Sequence, residues 1–394
     1  MDVINHLNMS YDSQNMHSVL NEPPYISDTI EQIDYKCKNG DFFIFPIVIF
    51  DLYLFENYDT IELPDHIVNG IKLKKGKLII IFVTEPSFGV DNKHYLWMCD
   101  LSRRYNFNKE SIIIITSNMV ADKTFVNLVK SGYIIDNFTL FQYDVWSPII
   151  NTDEYEWFNQ KNKNQKKKHH ILCFNRVPKI HRIGIFGELM SNKNYVDKYI
   201  LSMGRNSIKD EYMGFYDVFR DVFRNIDIER KFRISNYLLS YDESKDFIYD
   251  ENDLMLDVGA NTYNKHAHSD SFVNVVTESY LDENIVFYSE KTYKPIRSLQ
   301  PFIIFGNTGS LKKLKERGYK TFEKWWDESY DDEIDMDKKF EKICKVMEEI
   351  CSWDLDKCFR ITNEMEETLQ HNFFHLINTK IDDRLKLHNL LNGY

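Results

Sequence analysis

Short apolar runs alternate with segments of helical spacing along much of the chain. The runs Leu78 to Val83 (LIIIFV) and Ile112 to Ile115 (IIII) show no polar alternation, which is typical of strands buried on both faces of a parallel sheet. Segments 94–105 and 120–132 have helical spacing, and a further short strand is indicated at 139–143. The order strand, helix, strand, helix, strand predicts one doubly wound α/β unit.

A second unit of the same kind is predicted after residue 170. Its predicted strands are 171–174, 271–277 and 301–305, and its predicted helices are 179–190, 289–299 and 308–317. Beyond the acidic turn 331–337, apolar residues fall on one face of an amphipathic helix, and the chain is expected to end in helices. The predicted fold class is α/β, with two Rossmann-like domains followed by C-terminal helices.

A chain of 394 residues is long enough for two domains. The predicted boundaries are an N-terminal extension at 1–40, a Rossmann-like domain at 41–160, a basic linker at 161–170, a second Rossmann-like domain at 171–335 and helices at 336–394. Clefts at the carboxyl ends of the strands are where α/β proteins usually bind ligands.

The overall charge of the chain argues against some classes of function. The chain carries 61 acidic and 49 basic side chains, a formal charge of −12, which argues against a general nucleic-acid binder. The segment 161–170 (KNKNQKKKHH) contains five Lys and two His. We interpret it as a solvated charge run between domains rather than a phosphate-binding patch, because no aromatic residue is interleaved.

Cysteine spacing and hydropathy indicate a cytoplasmic protein with reduced thiols. The six cysteines form no CxxC pair, so neither a zinc site nor a disulfide framework is indicated. The N-terminal residues lack the features of a signal peptide. The longest apolar run, Phe42 to Phe50, has nine residues, against about 18 needed to span a bilayer.

The clearest chemical signal is a pair of segments, 275–279 (VVTES) and 287–296 (FYSEKTYKPI). The first predicts a strand that ends in a carboxylate, and the second predicts a helix with Ser289 as its N-cap. A helix N-terminus with an adjacent lysine can bind a diphosphate, and a nearby carboxylate can hold ribose hydroxyls. The same residues also fit a capped surface helix with its charges in solvent.

Two further segments place polar residues after predicted strands. Asn175 and Arg176 follow one strand directly, and Arg182 lies about a turn into the next helix, where an arginine suits a phosphate. Glu85 ends the most apolar strand and precedes Pro86. A carboxylate at such a rim could act as a general base, although capping of the next turn is the plain alternative.

Together these segments resemble the alpha-1,3-fucosyltransferase family, whose donor motif reads roughly F-E-N-S…Y-[IV]-T-E-K. The resemblance covers about 171–310 and one short turn of the N-terminal half. The residues that carry it are Glu85-Pro86-Ser87, Phe174-Asn175-Arg176 with Arg182, Thr277-Glu278-Ser279 and Tyr288-Ser289-Glu290-Lys291.

The resemblance implies an inverting transferase of the GT-B arrangement, with two facing Rossmann-like domains. Arg182 and Lys291 would neutralise the diphosphate of a GDP-type donor such as GDP-fucose, and Glu290 would bind its ribose. Glu278 would lie near the transferred sugar, and Glu85 would deprotonate the acceptor hydroxyl. The remaining implied donor-binding residues are Asn175, Arg176, Tyr288 and Ser289.

The implied partners are a nucleotide sugar and a glycan acceptor. DNA is a less favoured acceptor because the chain is acidic overall. No separate cofactor is expected. No obligatory metal is expected either, because the one Asp-x-Asp sequence considered, Asp335-Met336-Asp337, lies in an acidic turn and not at a strand end.

Two other readings remain open. Segment 254–262 (LMLDVGANT) imitates the strand and D-x-G motif that binds S-adenosylmethionine in methyltransferases, and Glu278 lies 21 residues beyond Asp257. Against this, Thr262 stands where a second glycine is expected, and 262–270 is poorly suited to the helix that should follow. The other reading is a non-catalytic protein that binds sugar nucleotides or glycans, because a fold does not establish a function.

Overall fold

The computed structural model describes most of the chain as two compact units. The described residues are 30–49, 62–82, 88–89, 91–144, 146–147, 150–205, 214–247, 264–282 and 284–392. The first unit contains the described residues up to 147, Asn284–Phe287 and residues 379–392, and the second contains the remainder. Each unit has a four-stranded parallel sheet. The α/β class with two parallel sheets is therefore confirmed.

The first unit is built on strands that follow one another in chain order. They are β1 (Phe43–Ile49), β2 (Gly76–Phe82), β3 (Ile112–Thr116) and β4 (Thr139–Gln142). The helices are α1 (Ile30–Asn39), α2 (Asp65–Lys72), α3 (Lys93–Tyr105) and α4 (Ala121–Lys130). All five residues of β3 are buried. Ile112 and Ile114 face one core cluster and Ile113 and Ile115 another, so this strand is covered on both faces, as its sequence predicted.

The second unit contains a different strand order. Its strands are β5 (His169–Asn175), β6 (Tyr199–Met203), β7 (Ser271–Thr277) and β8 (Phe302–Phe305), in the order β6-β5-β7-β8. Its helices are α5 (Tyr155–Asn164), α6 (Ile180–Ser191), α7 (Phe215–Val222), α8 (Ile228–Ser240), α9 (Lys265–Asp270), α10 (Glu290–Arg297), α11 (Ser310–Glu316), α12 (Met336–Ser352) and α13 (Leu355–Glu364). The last helix, α14 (Glu366–Asn392), begins in this unit, and its residues from 379 onward belong to the first. Strand β6 has no counterpart among the predicted strands.

This strand order creates a topological switch point. After β5 the chain passes through α6 to β6 on one side, whereas after β7 it passes through α10 to β8 on the other. The connections that leave the adjacent strands β5 and β7 therefore diverge. In open α/β sheets such a divergence leaves a crevice at the carboxyl ends of the two strands, which is the usual ligand site.

Two predicted segments differ from the structure. Part of the predicted extension forms α1, whose Ile33 is in the core. The predicted basic linker at 161–170 instead contains the last turn of α5 and the start of β5. Buried Lys167 donates to Asn162 Oδ1 at 2.8 Å and to the Ser269 carbonyl at 3.0 Å. Other lysines of the run form ion pairs with acidic residues distant in sequence: Lys163 with Glu366, Lys166 with Asp356 and Lys168 with Asp270.

None of the helices in the described part of the chain is both long and apolar enough to cross a membrane.

A buried ion network joins α6, α8 and α12. Glu188 is fully buried, accepts a hydrogen bond from Arg233 at 2.8 Å and forms an ion pair with Arg230 at 3.3 Å. Arg230 also pairs with Glu341 and Glu348. The two arginines compensate the buried carboxylate, which would otherwise be strongly destabilising.

We expect Arg230→Ala to lower the free energy of unfolding by about 3–5 kcal/mol, because it leaves the buried Glu188 carboxylate undercompensated. Urea denaturation measures this change. The matched control is Arg220→Ala, whose ion pairs with Asp217 and Asp221 are exposed and whose loss should therefore change the stability much less. Equal effects of the two substitutions would contradict the assignment.

Candidate active site

The predicted donor-binding residues converge at the switch point of the second sheet. Asn175 is the last residue of β5, and Glu278 directly follows β7. The Thr277 hydroxyl donates to Asn175 Oδ1 across the two strand ends. Arg182 lies in the first turn of α6, and the segment from Tyr288 to Lys291 leads into α10.

Arg182 is buried and binds backbone carbonyls. Its guanidinium donates to the carbonyl of Val177 at 2.9 Å, of Thr277 at 3.2 Å and of Glu278 at 3.1 Å. Only 2% of the residue is exposed. In this structure Arg182 therefore holds the chain where it leaves β7, and its predicted contact with a diphosphate stays a prediction.

His181 supports the same turn. Its Nε2 lies 2.8 Å from the Glu278 carbonyl, to which it can only donate. Burial, and then the positive charge of Arg182, hold the pKa of His181 well below its ordinary value, so the ring is neutral at physiological pH. The Glu278 carbonyl thus accepts from two neighbouring side chains of α6.

The Glu278 carboxylate occupies the N-terminus of α10. It is fully buried and accepts from the Ser289 backbone N–H at 3.2 Å and from the Ser289 hydroxyl at 2.7 Å. The Thr292 hydroxyl also donates to it. A negative charge at this end of a helix is stabilised by the helix dipole. The Glu278 carboxylate therefore occupies the helix N-terminus at which the sequence predicted a bound diphosphate.

Ser289 is the N-cap of α10, as predicted: its hydroxyl oxygen accepts from the Lys291 N–H at 3.3 Å. Tyr288 is buried, and its hydroxyl donates to the Ser310 carbonyl at 2.7 Å. This contact fixes the entry to α10 against α11. The side chain of Arg176, in contrast, is exposed at the rim beyond β5.

Two ammonium groups converge on Ser279. Lys291 Nζ lies 3.2 Å from the Ser279 hydroxyl and 2.7 Å from Glu290 Oε1. Lys179, the residue before α6, donates its ammonium to the Ser279 carbonyl. The sequence reasoning missed Lys179. Its position between a strand end and a helix start, three residues after Arg176, is the signal that could have identified it.

The charge of Glu290 is maintained by neighbouring lysines. Burial alone would raise the pKa of its carboxyl group, but the positive charges of Lys291 and Lys294 outweigh burial and hold the pKa below its ordinary value. Glu290 is therefore ionised at neutral pH. It forms an ion pair with Lys291, and the two side chains are only 15% and 22% exposed.

The predicted base, Glu85, and the methyltransferase-like segment 254–262 lie outside the described residues. Within the first unit, Phe88 and Gly89, which follow residues 83–87, are held by hydrogen bonds. The Asn118 amide nitrogen, beyond β3, donates to the Phe88 carbonyl at 3.2 Å. The Gly89 N–H donates to Nδ1 of His94 at 3.1 Å, and burial lowers the pKa of His94 to about 4.

Comparison with known proteins gives few matches. No family model matches the sequence, and no curated protein matches it. Among solved structures, it is similar to an alpha,alpha-trehalose-phosphate synthase (UDP-forming) from Burkholderia vietnamiensis at 9% identity and a TM-score of 0.45, covering 95% of this chain and 80% of that chain. An alpha,alpha-trehalose 6-phosphate synthase from Burkholderia multivorans gives 10% identity, a TM-score of 0.40 and coverage of 91% and 73%. Both TM-scores are below 0.5, so this likeness assigns no activity or residue role to the chain.

We expect Glu278→Gln to lower the free energy of unfolding by about 1–3 kcal/mol, because the new amide N–H group would face the donors of Ser289 and Thr292. Chemical denaturation measures this change. Glu316→Gln, at an exposed site on α11, should change stability by less than about 0.5 kcal/mol. A Glu278 variant as stable as the wild type would contradict the capping role.

Proposed function

We propose that the chain is a glycosyltransferase of the GT-B type, with its nucleotide-sugar donor bound at the switch point of the second sheet. The observation that carries the proposal is the convergence of the Lys179 and Lys291 ammonium groups on Ser279, at the carboxyl end of β7. In a chain of net charge −12, a diphosphate ligand needs such a local cluster of positive charge.

Lys291 has capacity to bind a phosphate oxygen. An ammonium group has three protons to donate. Among the described residues, Ser279 and Glu290 accept two of them, so one is available for the donor. Together with Lys179, Lys291 would neutralise the charge that develops on the departing diphosphate, which is a major source of rate acceleration in group transfer.

Of the other residues at the switch point, some are proposed to contact the donor and others to position the residues that contact it. Ionised Glu290 would accept hydrogen bonds from the ribose hydroxyls. Arg182 and Glu278 are proposed to act indirectly, since the first fixes the turn after β7 and the second fixes α10. Asn175, Ser289 and Tyr288 would support the same framework, and exposed Arg176 is available to a phosphate at the rim.

Glu85 is proposed as the general base. Its carboxylate would take the proton of an acceptor hydroxyl, the oxygen would attack the anomeric carbon, and the bond from that carbon to the diphosphate oxygen would break. The bonding electrons leave with the diphosphate, and the configuration inverts. Because lysines stabilise the leaving group, the proposal includes no metal ion.

A GDP-type donor with a fucose-like sugar is proposed from the resemblance alone. A glycan hydroxyl is the proposed acceptor. DNA is disfavoured by the acidic total charge, and three lysines of the 161–170 run are neutralised by Glu366, Asp356 and Asp270.

We expect Lys179→Met and Lys291→Met each to weaken nucleoside diphosphate binding at least about tenfold, because a charge-assisted hydrogen bond is worth about 1.5–3 kcal/mol. Methionine preserves most of the side-chain length. GDP and UDP, with S-adenosylmethionine alongside, would be screened by thermal shift and then measured by calorimetry.

Lys193→Met, at an exposed position of the same unit, should bind as the wild type does. Unchanged diphosphate affinity in both site variants would reject this site. Stabilisation by S-adenosylmethionine in place of either nucleotide would support the methyltransferase alternative.

We expect Glu85→Gln to retain donor binding and to reduce sugar transfer at least about a hundredfold, because it removes the base. Release of nucleoside diphosphate, with the donor identified by the screen and a mixture of oligosaccharide acceptors, measures transfer. Glu62→Gln, at an exposed position of the first unit, is the matched control. Full turnover by Glu85→Gln would reject the assigned base, and binding without turnover in the wild type would favour a non-catalytic binding protein.

A further inference from the structure

The short segment that leads into α10 belongs to the first unit. Residues Asn284–Phe287 are part of that unit, whereas the chain before and after them is part of the second. Glu278, at the end of β7, and Ser289, the N-cap of α10, are joined by the hydrogen bonds of the Glu278 carboxylate. The chain between these two residues is therefore a loop that is closed at its base in the second unit and passes through the first.

Asn118, which lies just beyond β3, holds this loop in the first unit. The Val286 N–H donates to the Asn118 side-chain oxygen at 3.3 Å, and the Met119 N–H donates to the Val286 carbonyl at 2.8 Å. We call these two hydrogen bonds the Val286 link. Asn118 is fully buried, so bulk water does not compete for its side chain.

The orientation of the Asn118 amide is fixed by a further contact. Its nitrogen donates to the Phe88 carbonyl at 3.2 Å, which turns its oxygen toward the Val286 N–H. Gly89 has a φ of +91°, and a Cβ atom there would lie 3.3 Å from the Asn118 amide nitrogen. Glycine at this position therefore leaves space for the amide, and the first unit sets the side chain that holds Val286.

The chain from Val286 to α10 is short and buried. Each of the residues 285–289 is at most 4% exposed. Three residues of chain span about 10 Å at most, so a displacement of Val286 moves Ser289 or strains the chain between them. On the other side of the loop, residues 280–282 are partly exposed and Asn284 is exposed. A displacement of Val286 is therefore transmitted mainly toward α10.

We propose that Asn118 is a positioning residue for the nucleotide-sugar site and acts through Val286 on Lys291. The inference rests on the proposed function, because Lys291, in the first turn of α10, is proposed to contact the donor. Loss of the Asn118 side chain would release Val286 and let the first turn of α10 shift. Since coupling between two sites is reciprocal, a nucleotide bound at Lys291 must also stabilise the Val286 link.

The first test is hydrogen exchange of the wild-type chain with and without GDP or UDP, measured by mass spectrometry. We expect bound nucleotide to slow exchange at least about threefold at the amides of Met119 and Val286, because opening of the link would then cost more. Phe107 is the matched internal control. It is a buried residue of the first unit, and its N–H donates to the Ser102 carbonyl at 3.0 Å, so its exchange should not change.

The second test is the affinity for the same nucleotide, measured by calorimetry. Asn118→Ala should weaken binding at least about threefold, as for the loss of one hydrogen bond. Asn118→Asp keeps an oxygen acceptor for the Val286 N–H and should bind more tightly than Asn118→Ala. Asn137→Ala is the matched control, because half-buried Asn137 of the first unit donates to the Cys99 carbonyl at 3.0 Å. Its loss should leave nucleotide affinity unchanged.

The inference is overturned if bound nucleotide leaves exchange in the Val286 link unchanged, if exchange slows equally at Phe107, or if Asn118→Ala binds nucleotide as the wild type does. Should Asn118→Ala fail to fold, the exchange measurement on the wild type decides alone. Nucleotide binding that depends on Lys179 and Lys291 would support the donor site in each of these cases. Absence of nucleotide binding in the wild type would reject the donor site and this inference together.

Discussion

The structure of the second unit depends on the hydrogen bonds that one buried carboxylate, that of Glu278, accepts. Glu278 stands at the end of β7, at the point where the connections from two adjacent strands diverge, and its carboxylate is fully buried. A buried charge without partners would be costly. The N-terminus of α10 supplies the partners through Ser289 and Thr292, while His181 and Arg182 bind the backbone carbonyl of the same residue. One residue thus joins β7, α6 and α10.

This arrangement changes what the switch point offers a ligand. A helix N-terminus is an anion site in many α/β proteins, but here the Ser289 N–H donates to the Glu278 carboxylate and the Lys291 N–H donates to the Ser289 hydroxyl. The remaining positive charge comes from the ammonium groups of Lys179 and Lys291, which meet at Ser279. Lys179 directly precedes α6 and Lys291 lies in α10, and Glu278 joins these two helices to β7. The buried Glu278 carboxylate therefore positions the two ammonium groups that are proposed to bind the diphosphate.

Much of the fold follows from local sequence pattern. The isoleucine run of β3 predicts burial on both faces because it contains no polar alternation, and Ser289 predicts a helix start because its hydroxyl can cap one. Lys179 was missed because nothing local distinguishes it from other lysines. The basic run at 161–170 was predicted as a linker because its partners, Asp270, Asp356 and Glu366, are far away in sequence.

The sequence by itself determined the α/β class, the strand ends at which polar residues cluster and the cap of α10, since each depends on neighbours a few positions apart. Only the tertiary structure decided the environment of each charge. Arg182 and Glu278 became buried supports, whereas Lys179 and Lys291 were brought to one point. Strand order sets these environments, because it brings together side chains and backbone carbonyls that lie about 100 residues apart in the sequence.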